Sequence, residues 1–320
     1  MRLIDTFLYS DSDEFPLITT KILSEASLVD LFLIVEGSHT FKGQPKAFTI
    51  RKLLNSEKKL LAVRNKIKVI EFDLPKIDTL SGILRHSSRF AHQIYSGIPY
   101  RRARRAFKER NFLTLEELSR NVAVPYLIEW GLKHDDWILV TDSDEILDLA
   151  NDRRMLLLRE LLNSDFPIHH LIRRRYMFDF DNYDPRPRTI PLIKGNIILD
   201  NDSVNLTALR VPNNGLIQSP TETLVFEFSS CFPLDAIIRK HEFARHQTPS
   251  RDAIINAVER NHAIVYQEDR ARKLDFFTKI KPSLETHPTI ILREIESLKT
   301  GNVPDDYIYK RQQAYPELFS

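Results

Sequence analysis

Apolar positions in the first half of the chain come in compact blocks separated by charged turns. Leu3 to Tyr9 is one such block, followed by an acidic turn at Asp11, Asp13 and Glu14 and by a helix opening near Pro16. Proline suits a first helical turn, where its missing N–H would have no partner in any case. Val29 to Glu36 has almost no polar interruption, the pattern of a parallel strand covered on both faces. Lys66 to Phe72 reads as a third strand, Asp78 to Tyr95 and Arg101 to Gly131 as largely helical, and Asp136 to Thr141 as a fourth strand. Strands alternating with helices predict a doubly wound α/β sheet, whose ligands gather at the carboxyl ends of its strands.

Beyond Glu145 the pattern predicts a helix over Arg153 to Leu162 and strands over Ile168 to Phe178, Ile190 to Leu199 and Thr221 to Phe228. Pro, Asn and Asp turns separate them. From Pro233 onward the periodicity is mainly helical. The division that follows is a main domain over residues 1–245, split near 150, and a helical C-terminal extension over 246–320.

Composition narrows the function classes. Of 320 residues 42% are hydrophobic, enough for a large core, so disorder is not expected. The 46 Lys and Arg against 44 Asp and Glu leave a formal charge of +2, which argues against a nucleic-acid binder. The single cysteine, Cys231, excludes an intramolecular disulfide and fits a reducing compartment, so a cytoplasmic location is expected. The opening MRLIDTFLYS is too short and too interrupted for a membrane span or a signal peptide, and no transmembrane segment is expected.

The chemistry concentrates after the fourth strand, at Asp142-Ser143-Asp144-Glu145. Two carboxylates at alternate positions of an extended segment share a side, so Asp142 and Asp144 suit a hard divalent cation and Ser143 should point away. Such an ion leaves coordination sites for phosphate oxygens and offsets the charge of a departing diphosphate. A solvated acidic turn is the plainer alternative. A phosphatase using the first Asp as nucleophile is a third, disfavoured by the Glu145-Ile146 continuation.

Several separated blocks resemble glycosyltransferase family 17. They are Ile4-Asp5-Thr6-Phe7-Leu8, then Val29 to Glu36 with His39-Thr40-Phe41, Gly43, Pro45 and Lys46, then Glu109-Arg110-Asn111, and finally Asp135 to Ile146. The resemblance covers roughly residues 3 to 245 and is strongest in the first half. It implies a GT-A fold, a Rossmann-like, mostly parallel sheet flanked by helices, with residues 1–150 as the nucleotide-sugar half and 151–245 as the acceptor half. It also implies an inverting transfer, most simply of N-acetylglucosamine from a UDP-sugar donor to a glycan hydroxyl, with Mn²⁺ or Mg²⁺ as cofactor. The chain departs from the family where Leu147 replaces a proline, and where Glu227 stands at the position of a late histidine. If that histidine is a third metal ligand, Glu227 would complete the set with Asp142 and Asp144.

Other candidates are graded by place. Glu36 ends a buried strand where a nucleoside would lie, or else it caps a turn; Lys46 faces donor phosphates, or else solvent; Arg110 sits in a family-like motif. Inversion needs a base opposite the leaving group, and Asp179, Asp181 and Glu227 are the candidates. Arg101, Arg104, Arg105 and Lys108 form a basic stripe at helical spacing, read as a solvated face, an anionic-acceptor contact, a peripheral membrane contact or a nucleic-acid contact. The histidines, His169 and His170 among them, lack a zinc pattern and read as surface or core residues. A protein on the same fold that binds a sugar nucleotide or glycan without turnover is the alternative function, motivated by Glu227.

Overall fold

A computed structural model describes residues 1–40, 44–73, 116, 119–149, 151–178, 182–201, 204–210, 222–229, 231, 234–235, 237–238, 240, 250–260, 278–279, 287–288 and 291. It is a mixed α/β protein with a central sheet flanked by helices.

The sheet begins with β1 (Leu3–Tyr9), β2 (Leu31–Gly37), β3 (Ile67–Phe72) and β4 (Trp137–Asp142), all parallel in the order β3-β2-β1-β4. It continues through β5 (Glu145–Leu147), β6 (Ile168–Met177), β7 (Asn182–Lys194) and β8 (Thr223–Ser229) as β4-β7-β6-β8-β5. A short β9 (Thr278–Lys279) adds to β7. Among the described strands only β5 and β7 run against β1.

The apolar blocks become strands because both sheet faces are covered. Phe32, Leu33, Ile34 and Val35 of β2 are all buried, as are Trp137 through Val140 of β4. The exception inside this core is charged. Asp5 of β1 lies beneath helix α1 (Phe15–Glu25), where Lys21 Nζ is 2.7 Å from its carboxylate and 3.0 Å from Glu25. Thr141 Oγ1 donates to Asp5 at 2.6 Å. Burial pushes the Glu25 carboxyl well up, with Asp5 adding to the rise and Lys21 opposing it.

This triad positions the acidic turn. Lys21 Nζ donates to the Glu145 carbonyl at 2.6 Å, the Leu147 N–H donates to Glu25 at 2.8 Å, and Ser24 Oγ donates to the Leu147 carbonyl at 2.7 Å. Helix α1 therefore holds β5, and β5 fixes the end of the turn at residues 143–144.

Helix α2 (Ile50–Ser56) follows a loop that the hydrophobic pattern leaves unassigned. Helix α3 (Ala123–Glu129) ends at Gly131, whose φ of 74° is the left-handed conformation glycine adopts at little cost. Helix α4 (Asp152–Leu162) agrees with its predicted span, capped by Asn151, whose side chain accepts from the Arg154 N–H.

The strand predicted over Ile190 to Leu199 is corrected. β7 is longer and earlier, and Gly195–Leu199 forms a helical turn; the chain leaves the strand at Gly195, which packs so close to the Lys133 carbonyl that a Cβ would lie 2.0 Å from its oxygen. Within the C-terminal extension, Arg251–Glu259 is helical, but Thr278–Lys279 is a strand. The helix predicted over residues 78–95, and the basic stripe with Arg110, lie outside the described residues. Among the described residues no helix is long and apolar enough to cross a membrane.

Candidate functional site

The carboxyl ends of β2, β1 and β4 lie side by side, and the strand order reverses at β1: the chain runs from β1 to β2 and β3 on one side and then crosses to β4 on the other. A crevice opens at such a point. Here it is a cavity of about 450 Å³, lined by Tyr9, Asp11 and Glu14 after β1, by Gly37, His39 and Lys46 after β2, and by Ser119 and Lys240. Ligand pockets of small molecules run from roughly 300 to 1,000 Å³, so the volume suits a nucleotide-sized guest.

Two lysines border the cavity, each tied to a carboxylate. Lys46 Nζ lies 3.2 Å from Glu36 and 5.2 Å from the centre of the Tyr9 ring. Lys240 Nζ sits 3.4 Å from both Glu14 and Asp144. Burial opposes the Lys240 charge, but Asp144, Glu14 and Asp142 outweigh it and hold its pKa above the ordinary lysine range.

Glu36 does not line the cavity, although its neighbours Val35 and Gly37 do. It is fully buried, and its carboxylate accepts from the backbone N–H groups of Thr49 at 2.9 Å and Ile50 at 3.0 Å. It thereby serves the first turn of α2, whose own Thr49 supplies no side-chain cap. This is the turn-capping role; what Glu36 contributes to the cavity is the position of Lys46.

The acidic turn splits its two aspartates. Ser143 does not point away: its Oγ donates to Glu14 at 3.0 Å and is buried. Asp144 faces Lys240 beside the cavity, whereas Asp142 faces the other way into a set of arginines. Burial raises the Asp144 carboxyl to about 6; Lys240 opposes the rise and the carboxylates of Glu227, Asp142 and Glu14 add to it. Asp142 has the opposite fate. Burial would raise it, but Arg120 and Arg210 hold it well below the usual carboxylate range.

Those arginines belong to an ion-pair ladder that runs across the sheet. From one end, Glu116 pairs with Arg120 at 3.0 Å, Arg120 with Asp142, Asp142 with Arg210 at 2.9 Å, and Arg210 with Glu145 at 2.7 Å. Glu145 pairs with Arg173, Arg173 with Glu227 at 3.1 Å, Glu227 with Arg175 at 3.2 Å, Arg175 with Asp184 at 3.6 Å, and Asp184 with Arg186 at 2.7 Å. Carboxylates and guanidiniums alternate throughout. Register explains the middle of the ladder, because Glu227 of β8 stands opposite Glu145 of β5 on one side and Arg175 of β6 on the other. Burial would raise the Glu227 carboxyl; Arg175, Arg173 and the Ser229 hydroxyl lower it instead.

The three predicted metal ligands are therefore not gathered on one ion. Asp142 is engaged through both oxygens by arginines, Glu227 lies between two more, and Asp144 with Glu14 already faces the Lys240 ammonium. Among the described residues no three His, Cys, Asp or Glu side chains are grouped to hold a metal. In this arrangement the trio does not fit a three-carboxylate cage.

Asp179 and Asp181 lie outside the described residues; they occupy the β6–β7 connection directly after Phe178, whose φ of 66° is left-handed. His169 and His170 are buried in the core, His169 stacked on Trp137 at 5.4 Å and hydrogen-bonded to Ser164 at 2.6 Å. Sequence reasoning missed Lys240, Glu14 and the ladder arginines. The available signal was Arg173 and Arg175 at alternate positions of a strand, which puts the two guanidiniums on one face.

No protein-family model matches the chain, and no curated protein matches it.

Proposed function

We propose that the chain is an inverting glycosyltransferase with the GT-A arrangement, moving a sugar, most simply N-acetylglucosamine, from a UDP-sugar to a glycan hydroxyl. The observation that carries the reading is the cavity at the carboxyl ends of β1 and β2, bordered by Lys46 and Lys240 and adjoining Asp144. The likeness of the β2 and β4 blocks to glycosyltransferase family 17 supports the same reading, since both blocks end at this crevice.

In this reading the nucleotide occupies the cavity with its base toward Tyr9. The acceptor hydroxyl attacks the anomeric carbon from the face opposite the diphosphate, a carboxylate takes its proton, and the bond to the phosphate oxygen breaks. Lys46 and Lys240 offset the charge that grows on the departing UDP, an electrostatic contribution made by groups already in place. Glu227 is a poor proton acceptor while Arg173 and Arg175 hold its charge, so Asp179 and Asp181 take precedence as the base. Asp144 and Glu14 are the carboxylates that would hold Mn²⁺ or Mg²⁺, in place of their pairing with Lys240, and the ion would offset charge on the departing diphosphate. We place the reaction in the cytoplasm, in keeping with the lone, buried Cys231.

A second reading follows from the ladder. Asp142 and Glu227 are both committed to arginines, which suits a protein that binds sugar nucleotide or glycan without turnover. Titration of UDP-N-acetylglucosamine, followed by measurement of UDP release with and without a panel of glycan acceptors, separates the two. Binding with release supports transfer, binding without release supports the second reading, and no binding of any UDP-sugar overturns the first and leaves only glycan binding of the second.

A further inference from the structure

The ladder from Glu116 to Arg186 contains five carboxylates, Glu116, Asp142, Glu145, Glu227 and Asp184, and five guanidiniums, those of Arg120, Arg210, Arg173, Arg175 and Arg186. Its charges cancel. A sixth arginine on the same face has no place in it. Arg188 of β7 stands directly opposite Arg173 of β6 in the antiparallel register, so the two side chains emerge side by side from one face.

Like charges in such a cross-strand pair repel, and Arg175 adds to the repulsion; Glu227 and Asp184 of the ladder offset part of it, but from beyond ion-pair distance. Among the described residues Arg188 has no carboxylate within ion-pair distance, and its buried Nε has no hydrogen-bond acceptor. A guanidinium donor withdrawn from water without a partner costs free energy that a nearby anion would recover. The side chain is only half-buried, so a ligand can approach it.

We propose that Arg188 is a binding site for an oxyanion, a carboxylate or a phosphate, and that this oxyanion belongs to an acidic acceptor glycan. The planar fork of a guanidinium matches either group through two parallel hydrogen bonds. The position suits an acceptor. Arg173, beside Arg188, pairs with Glu145; Glu145 shares Arg210 with Asp142; and Asp142 begins the turn that carries Asp144 to the donor cavity. The assignment of the oxyanion to an acceptor rests on the proposed function, whereas oxyanion binding at Arg188 does not.

The test uses the full chain at low ionic strength near pH 7, with three probes titrated by calorimetry: inorganic phosphate, glucuronate and neutral glucose. The proteins are wild type, Arg188→Gln, Arg188→Lys and Lys46→Ala. At least one anion should bind wild type while glucose does not, and Arg188→Gln should weaken that binding tenfold or more. Arg188→Lys, which keeps the charge but not the fork, should retain phosphate better than glucuronate. The anion binding that Arg188→Gln removes should survive Lys46→Ala; anion binding that only Lys46→Ala removes lies in the donor cavity and overturns the assignment to Arg188. A preference for phosphate points to a phosphorylated acceptor, and a preference for glucuronate to a uronate. UDP-N-acetylglucosamine should bind Arg188→Gln as it binds wild type; its failure to bind either protein would sink the donor reading and leave the Arg188 result standing. Absence of anion binding by wild type, or affinity that neither Arg188 substitution alters, overturns the proposal.

Discussion

The two halves of the sheet bury their strands by different means. In the first half, β1 to β4 are lined by Phe32, Leu33, Ile34, Trp137 and Ile138, and the buried charges sit in separate local sets, such as the Asp5–Lys21–Glu25 triad, Glu36 with Lys46, and Asp136 with Arg2. In the second half, β5 to β8 carry a row of arginines and carboxylates across one face, with Arg173, Arg175, Glu145 and Glu227 all buried. Apolar burial is tolerant, because a truncated leucine leaves a cavity into which its neighbours relax. A buried ion pair is unforgiving, since losing one partner strands a charge. The apolar half can thus afford an open cavity at its strand ends, while the charged half fixes the geometry of one rim.

The sharpest way to test that contrast is to break the ladder at its centre. Arg173→Ala leaves Glu145 and Glu227 sharing fewer counter-ions, and it should destabilise the protein by about 3–5 kcal/mol in urea unfolding. A loss below about 1 kcal/mol would show that the ladder is loosely solvated. Leu33→Ala in the apolar half should cost about 2–4 kcal/mol by the same measurement, the range for a large-to-small core change. The two substitutions should add when combined, because they touch no common partner.

Smaller effects concern the boundary between the halves. Lys240→Ala removes the cation from Asp144 and Glu14 and, on the proposed function, should weaken UDP-N-acetylglucosamine roughly tenfold, equivalent to about 1.4 kcal/mol. An unchanged affinity would remove Lys240 from the donor site.

Asp144 predicts a pH signature. Its folded pKa of about 6 lies above the ordinary value of 3.8, so between those limits the folded protein binds more protons than the unfolded chain. Stability due to this group must therefore fall as pH rises from about 4 to about 6. Relative to Asp144→Asn, wild type should lose about 1–3 kcal/mol across that window, with each pKa unit worth about 1.4 kcal/mol. A difference between the two proteins that does not vary with pH would show that Asp144 titrates normally.

The contrast also explains what could be read from the sequence. Residues 3–9, 29–36 and 136–141 are legible as strands because uninterrupted apolar runs have few other uses. The placement of a cavity after Tyr9 and Gly37 follows from that parallel order. The roles of polar residues were less legible, since side-chain partners come from distant segments. Asp142 and Asp144 are two residues apart, yet one meets Arg120 and Arg210 and the other meets Lys240. Glu36 reads equally as a ligand contact or as a cap until the first turn of α2 is seen to take both its oxygens. The strand register that opposes Arg173 to Arg188 depends on the β6–β7 connection, and no spacing rule supplied it.

The most direct measurement is calorimetric titration of UDP and UDP-N-acetylglucosamine into wild type and Lys46→Ala, each with Mn²⁺ and with chelator. The account predicts saturable binding to wild type, a loss of roughly tenfold in the variant, and appreciable affinity retained in chelator, because Lys46 and Lys240 already border the cavity. No binding of either nucleotide to wild type under both conditions would contradict the assignment of the cavity as a sugar-nucleotide site.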